Sequence, residues 1–334
     1  MSGQSSAHDA VFRRIFGVPE NAASQLRAVL PGGLAGRLDL GRLSRVPGSF
    51  VDEALRWRHS DLLFSVPLEG REVFVYVLVE HQSRADPLMA FRMLRYVMRV
   101  WDQFLGEHPR ARRLPAVVPL VVHHGRARWT SPVQLLDLID LDPETRQQAL
   151  AFLPQFGFLL DDLAVVGGGE LRARELTPSA VVTLVALQTA AGNPGVPAEL
   201  RLWGDQLRAM LDQPGGSEAF MAVLTYIELV SEAPAGELHD LAAWLGPDAE
   251  EAYVTTAEML EARGEARGEA RGEARGEARG EARGRAEALA EVLAVRFGPL
   301  SEGVSERVRA ASVGQVRAWT ARAVTAETLD EVFG

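Results

Sequence analysis

Two apolar runs separated by a turn organise the chain. Leu62, Leu63, Phe64 and Val66 form the first, Glu69-Gly70-Arg71 the turn, and Val73 to Val79 a second run rich in β-branched and aromatic residues. This pattern predicts a β-hairpin. Upstream, His8 to Phe16 sets Val11, Phe12, Ile15 and Phe16 on one side and Arg13 and Arg14 on the other, an amphipathic helix. A second helix runs from about Glu20 to Leu30 and stops at Pro31-Gly32-Gly33. Gly36 to Gly48 reads as loop, and Ser49 to Arg56 as a short strand or turn.

Downstream, Asp86-Pro87 predicts a helix start, with proline at the first helical position where its missing N–H is tolerated. Leu88, Phe91, Leu94, Met98, Trp101 and Leu105 then recur at spacings of three and four, which predicts a core-facing stripe. Pro115 to Val122 is a continuous apolar run, suited to a strand buried on both faces. Helix, strand, hairpin, helix and strand in this order imply an α/β protein with a mixed sheet. Phe156 to Ala164 adds an edge strand. Helical patterns follow over Pro178–Ala191, Pro197–Leu211, Ser217–Glu232, Glu237–Leu245 and from Ala249 onward.

Residues 261–284 are six copies of Glu-Ala-Arg-Gly. A period of four advances each residue type by roughly 40° per copy around a helix, so no fixed seam forms. Alone, the segment reads as a frayed helix or a tether; strong helix formers on both sides favour one long helix from about Thr255 to Phe297. Ser301–Ala311, Val313–Ala323 and Thr325–Phe333 predict a small helical module. The organisation expected is residues 1–170 as an α/β domain, 171–260 as a helical support region, 261–284 as the repeat and 285–334 as a C-terminal helical domain.

Charge changes this picture. The net charge is −10 over 334 residues, yet residues 1–130 hold 18 Arg against 12 Asp and Glu, so the N-terminal third is basic inside an acidic chain. That asymmetry fits a nucleic-acid partner for the first third. The chain has no lysine and no cysteine, which excludes catalytic lysines, cysteine nucleophiles, thiolate metal sites and disulfides. The N-terminus has no apolar signal region and no run long enough for a membrane span, so a cytoplasmic protein is expected.

The candidate chemistry sits at the hairpin. Asp61 opens the first run, and Glu80 and Gln82 close the second, pointing to one face while His81 points away. Two carboxylates and an amide converging there suit a hard cation such as Mg²⁺. The same residues also suit a solvated turn and a polar strand rim, and spacing alone does not choose. Arg92, Arg95 and Arg99 form a second stripe on the helix that follows, equally fit for solvent or for phosphate. Asp9 suits the positive end of its helix. His123 and His124 alternate faces, so they do not readily share one metal.

Four stretches, HDAVFRRIF, GSFVDEALRWRHSDLLFSV, VYVLVEHQSRADPLMAFRMLRYVMRVW and LPAVVPLVVHHGRARW, resemble the Rpn (YhgA-like) family of recombination-promoting nucleases, also labelled transposases, within the PD-(D/E)XK superfamily. They fall in residues 8–130, in the family's order. The tail from Arg285 is similar to a helical domain appended to such proteins. The resemblance implies an αβββαβ core that cuts DNA with Mg²⁺, for which Mn²⁺ can substitute. It places Asp61 at the first acidic position, Glu80 at the (D/E) and Gln82 where lysine is usual, with the His81 carbonyl as a further metal ligand. Asp9 falls where some members carry an extra acidic ligand, and Arg13 where relatives often have lysine. Arg13, Arg92, Arg95 and Arg99 are then the expected DNA contacts, and the C-terminal helices a route to homo-oligomers. Two other functions compete: a catalytically silent DNA-binding or assembly scaffold, and a transposase with strand-transfer activity.

Overall fold

A computed structural model describes residues 2–46, 62–69, 71–80, 86–125 and 127–334. Helices α1 (Ser2–Phe16), α2 (Pro19–Val29) and the short α3 (Gly32–Ala35) lead to strand β1 (Ser44–Arg45). The hairpin follows as β2 (Leu62–Leu68) and β3 (Arg71–Glu80), then α4 (Met89–Glu107) and β4 (Ala116–His123). After α5 (Pro143–Ala149) comes the edge strand β5 (Leu159–Asp162). The chain is helical beyond it: α6 (Gly168–Ala173), α7 (Pro178–Thr189), α8 (Val196–Arg201), α9 (Gly204–Leu211), α10 (Gly216–Val230) and α11 (Ala235–Leu245). The long α12 (Pro247–Phe297) precedes α13 (Glu302–Arg309), α14 (Val313–Ala323) and α15 (Leu329–Phe333). The expected strand or turn at 49–56 lies outside the described residues.

The five strands form one mixed sheet in the order β1-β2-β3-β4-β5. β1, β2 and β3 run antiparallel, and β4 and β5 are parallel to β3. Leu68 pairs with Arg71, leaving a two-residue hairpin loop in which Glu69 takes φ 49°. Such loops need left-handed backbone to match strand twist. β3 and β4, being parallel, require a crossover, and α4 supplies it.

Alternation along the strands separates two cores. Leu62, Phe64, Val66, Leu120 and Val122 face a core built with α1, α2, α7, α9 and α10. Leu63 and Val121 face the other side, against Met89, Met93, Tyr96 and Val100 of α4 and Trp129, Leu135 and Phe158. β4 is therefore buried on both faces, as its continuous apolar run predicts.

Of the stripe expected to face the core on α4, Leu94 packs against it and Trp101 is partly buried, but the other four residues face away. Leu88, Phe91, Met98 and Leu105 are exposed, and the buried residues are Met89, Ala90, Met93, Tyr96, Val97 and Val100. α4 has apolar residues on two opposite faces, and periodicity cannot tell which of them the sheet will take. Its start is also later than expected. The Asp86 carboxylate accepts from Leu88 N at 2.9 Å, so Pro87 and Leu88 form a turn ahead of the helix. The single helix expected over Pro197–Leu211 is two, α8 and α9. The break falls at Leu202-Trp203, where Gly204 sits so close to the Trp244 ring that a Cβ would stand 2.4 Å from it.

The chain divides into two compact units, residues 1–257 and 258–334. The second has its own small core, in which Ala286, Leu289 and Leu293 pack with Val308, Val316, Trp319, Ala323 and Val332. Ser301 and Ser312 cap α13 and α14, the latter in a reciprocal capping box with Gln315. Among the described residues no helix is long and apolar enough to cross a membrane.

Candidate functional site

β3 ends at Glu80, whose Cα is the register partner of His123 at the end of β4. On the other side of β3, Leu62 pairs with Val77, so the chain enters β2 near the end at which β3 leaves the sheet. Asp61, His81 and Gln82 lie outside the described residues, as does the Glu80 carboxylate. Among the described residues no group of three or more His, Asp or Glu side chains is placed to hold a metal ion.

What surrounds this sheet end is a buried polar group. His8 and Asp9 of α1 are buried, as are His123 and His124. The His8 and His124 rings lie 4.8 Å apart, and His8 Nδ1 is hydrogen-bonded to the Tyr226 hydroxyl of α10 at 2.8 Å. Burial pushes the Tyr226 phenol up from its ordinary value, so it stays a protonated O–H donor at neutral pH. His123 has different neighbours. Its Nε2–H donates to the Ala127 carbonyl at 2.9 Å, and its ring stands edge-on to Trp129 at 5.2 Å. Asp162 holds that loop by accepting from Trp129 N at 2.7 Å and Ala164 N at 3.2 Å. The two adjacent histidines thus serve opposite sides of the sheet, as strand alternation requires.

The arginines expected to contact DNA divide. Arg13 is partly exposed on α1, and Arg95 is exposed on α4, whereas Arg92 and Arg99 are half-buried. Arg92 Nη1 is paired with Asp86 Oδ2 at 2.5 Å. Sequence reasoning attached no role to His8 or Tyr226. His8 carries a signal, since it precedes Asp9 in a matching stretch; Tyr226 carries none, because only folding brings α10 to α1.

A five-stranded mixed sheet with buried cores on both faces, and with His8 of α1 packed against His124 beyond the end of β4, defines the class: an α/β protein with a buried polar group at that sheet end. A family model described as "Putative transposase, YhgA-like" matches residues 6–195, more than half the chain. The chain belongs to that family, which the Rpn recombination-promoting nucleases share. Recombination-promoting nuclease RpnD of Escherichia coli O157:H7 is 39% identical over 168 residues, covering 50% of this chain and 62% of RpnD. The inactive recombination-promoting nuclease-like protein RpnE of Escherichia coli K12 is 36% identical over 174 residues, 51% of this chain and 55% of RpnE. Recombination-promoting nuclease RpnC of the same strain is 38% identical over 121 residues, 36% of this chain and 39% of RpnC. The chain therefore spans less than two thirds of each of these relatives. No solved structure matches it.

Proposed function

We propose that this protein is a metal-dependent DNA endonuclease that acts in recombination in the cytoplasm, built on a PD-(D/E)XK core. The observation that carries the reading is the strand register. It sets Glu80 beside His123, one residue from His124, whose ring lies against His8, the neighbour of Asp9. The element order supports it too: α1, three antiparallel strands, α4 and a strand parallel to β3 follow the αβββαβ sequence.

In this reading Asp61, Glu80 and the His81 carbonyl hold Mg²⁺, with Asp9 as a further carboxylate. An all-oxygen donor set of this kind is what that cation prefers. When bound, the ion would supply polarisation of the scissile phosphate and a lowered pKa for a water. Gln82, a neutral amide, orients the attacking water by hydrogen bonding, where a lysine would also neutralise developing charge. Arg13, Arg92, Arg95 and Arg99 supply positive charge along the DNA backbone, so binding is salt-sensitive and weakly sequence-selective. Helices α13 to α15 serve self-association.

Plasmid nicking with Mg²⁺ tests the assignment. Asp61→Ala and Glu80→Ala are expected to abolish cleavage, and Gln82→Ala to slow it about a hundredfold, the scale of removing one preorganised donor. Equal nicking by all variants and the parent chain discards the reading. A second reading, a silent DNA-binding scaffold, is favoured by the name of RpnE, a relative called inactive. Metal-independent DNA binding without cleavage, unchanged by Glu80→Ala, would establish that one instead. A transposase's strand-transfer activity, which the family description suggests, would appear as joined rather than cut products.

A further inference from the structure

α4 buries one face against the sheet and leaves an apolar row on the other. Phe91, Met98 and Leu105 are 49%, 51% and 41% exposed, and they recur at intervals of seven. Seven residues are two helical turns less about 20°, so the three side chains stack along one line. Leu94 and Trp101, three residues after Phe91 and Met98, flank this line on one side, partly buried. Trp101 is fixed there by its Nε1–H, which donates to the Pro115 carbonyl at 2.9 Å. Arg95 and Asp102 flank it on the other side, both exposed. These are the a, d and e positions of a heptad pattern, the seam along which helices pair.

We propose that this face binds a second copy of the chain, the two α4 helices pairing antiparallel about a two-fold axis at Met98. The row is self-complementary under that operation. Phe91 and Leu105 lie at equal distances, about 10.5 Å along the axis, on either side of Met98. Reversal therefore sets Phe91 of one copy on Leu105 of the other and Met98 on itself. Leu94, four residues before Met98, comes within one residue of Trp101, three after it, on the same flank. On the opposite flank Arg95 meets Asp102 of the other copy, twice by symmetry. A two-fold interface of this kind uses one patch on both partners.

The charges are what select the arrangement. Within one helix Arg95 and Asp102 are about 10.5 Å apart along the axis, too far to pair with each other. A parallel two-fold pairing exchanges the flanks and sets Arg95 and Asp102 against the Leu94 and Trp101 side of the other copy, leaving both charges without a partner there; the antiparallel one sets Arg95 and Asp102 together. DNA is served less well by the row, because an aspartate and three large apolar side chains oppose a phosphate backbone.

The absence of cysteine allows a direct test on the whole 334-residue chain. Met98→Cys places one thiol at the axis, where it faces its own image. A control thiol goes at Phe152, which is 88% exposed and off the seam. With diamide as oxidant, Met98→Cys is expected to form a covalent dimer at least tenfold faster than Phe152→Cys. Tethering through the C-terminal helices alone would give both thiols similar rates, which overturns the proposal. Added to Met98→Cys, either Arg95→Glu or Asp102→Arg is expected to slow cross-linking, and the two together to restore it. Indifference to both charge changes overturns the antiparallel register. Duplex DNA shielding Met98→Cys from maleimide, with no cross-linked dimer, overturns it in favour of a nucleic-acid face. Matching far-UV circular dichroism shows that each variant is folded.

Discussion

Asp161 is the most enclosed carboxylate with a described set of partners. Arg174 donates to it through both terminal nitrogens, at 2.9 and 3.0 Å, and Gln25 Nε2 donates at 2.5 Å. Removing one member of a buried pair leaves the other desolvated and uncompensated. Arg174→Met is therefore expected to lower stability by about 3 kcal/mol in urea denaturation, and Arg174→Met with Asp161→Leu by less than the single change. Glu228 gives a prediction of opposite character. Burial raises its pKa above the ordinary value, so the fold favours the protonated form. The stability it contributes is fully present below the unfolded pKa and is lost as pH rises through the folded one. Glu228→Gln should consequently raise the melting temperature near neutral pH, with the gain vanishing once pH falls below about 4, where Glu228 is protonated in both states. A gain that persists in acid would assign the effect to packing instead. Neither position shows in the sequence. Asp161 and Glu228 look like any other acidic residue in an acidic region, and only the packed structure tells which have lost their water.

Among elements, the hairpin was the most legible, because a turn between two β-rich runs fixes both strand pairing and register. The strand β4 and the edge strand β5 were readable for similar reasons. α4 shows where such reading stops: its existence follows from the spacing, but its orientation depends on which apolar arc fits the sheet. For the candidate site the sequence offers Asp61, Glu80 and Gln82 as a pattern of residue types, of which Asp61 and Gln82 lie outside the described residues, whereas the place of Tyr226 depends on a contact with His8, 218 residues away in sequence. The repeat offers an element-scale prediction. Within it, equal charges recur at i,i+4; only at its exit does the register slip, giving Glu281–Arg285 and Arg283–Glu287 pairs. Each glycine costs about 1 kcal/mol relative to alanine in a helix. Amide exchange across residues 261–284 is expected to be faster than in α10. A Cβ at Gly272 or Gly276 meets no atom within 4 Å. Gly272→Ala with Gly276→Ala should then slow exchange in the repeat severalfold; protection already equal to that of α10 in the parent chain would contradict the argument.

For the first unit as a whole, the decisive fact is that its core spans residue 170, where the strand pattern gives way to the helical one. Val11, Phe12, Ile15 and Phe16 of α1 share a buried cluster with Phe220, Val223, Tyr226 and Ile227 of α10 and with residues of α7. Polar contacts follow the same route: Arg14 to Glu218 at 2.7 Å, Thr177 to Asn21 at 2.7 Å and the His8–Tyr226 bond. α1 thus shares one core with the sheet and the later helices, and it carries His8 to His124 and Tyr226. A chain cut after residue 170 keeps every strand but loses the helices that cover α1. Its exposed apolar surface is expected to leave it without a cooperative thermal transition and able to bind the dye ANS, as loosely packed states do. A chain cut after Ala257 retains the whole cluster and should melt cooperatively, with the plasmid-nicking activity of the parent if the proposed chemistry holds. A cooperative, active 1–170 fragment would instead show that α1 and the sheet need no partner from α7 and α10, and that His8 keeps its place without Tyr226.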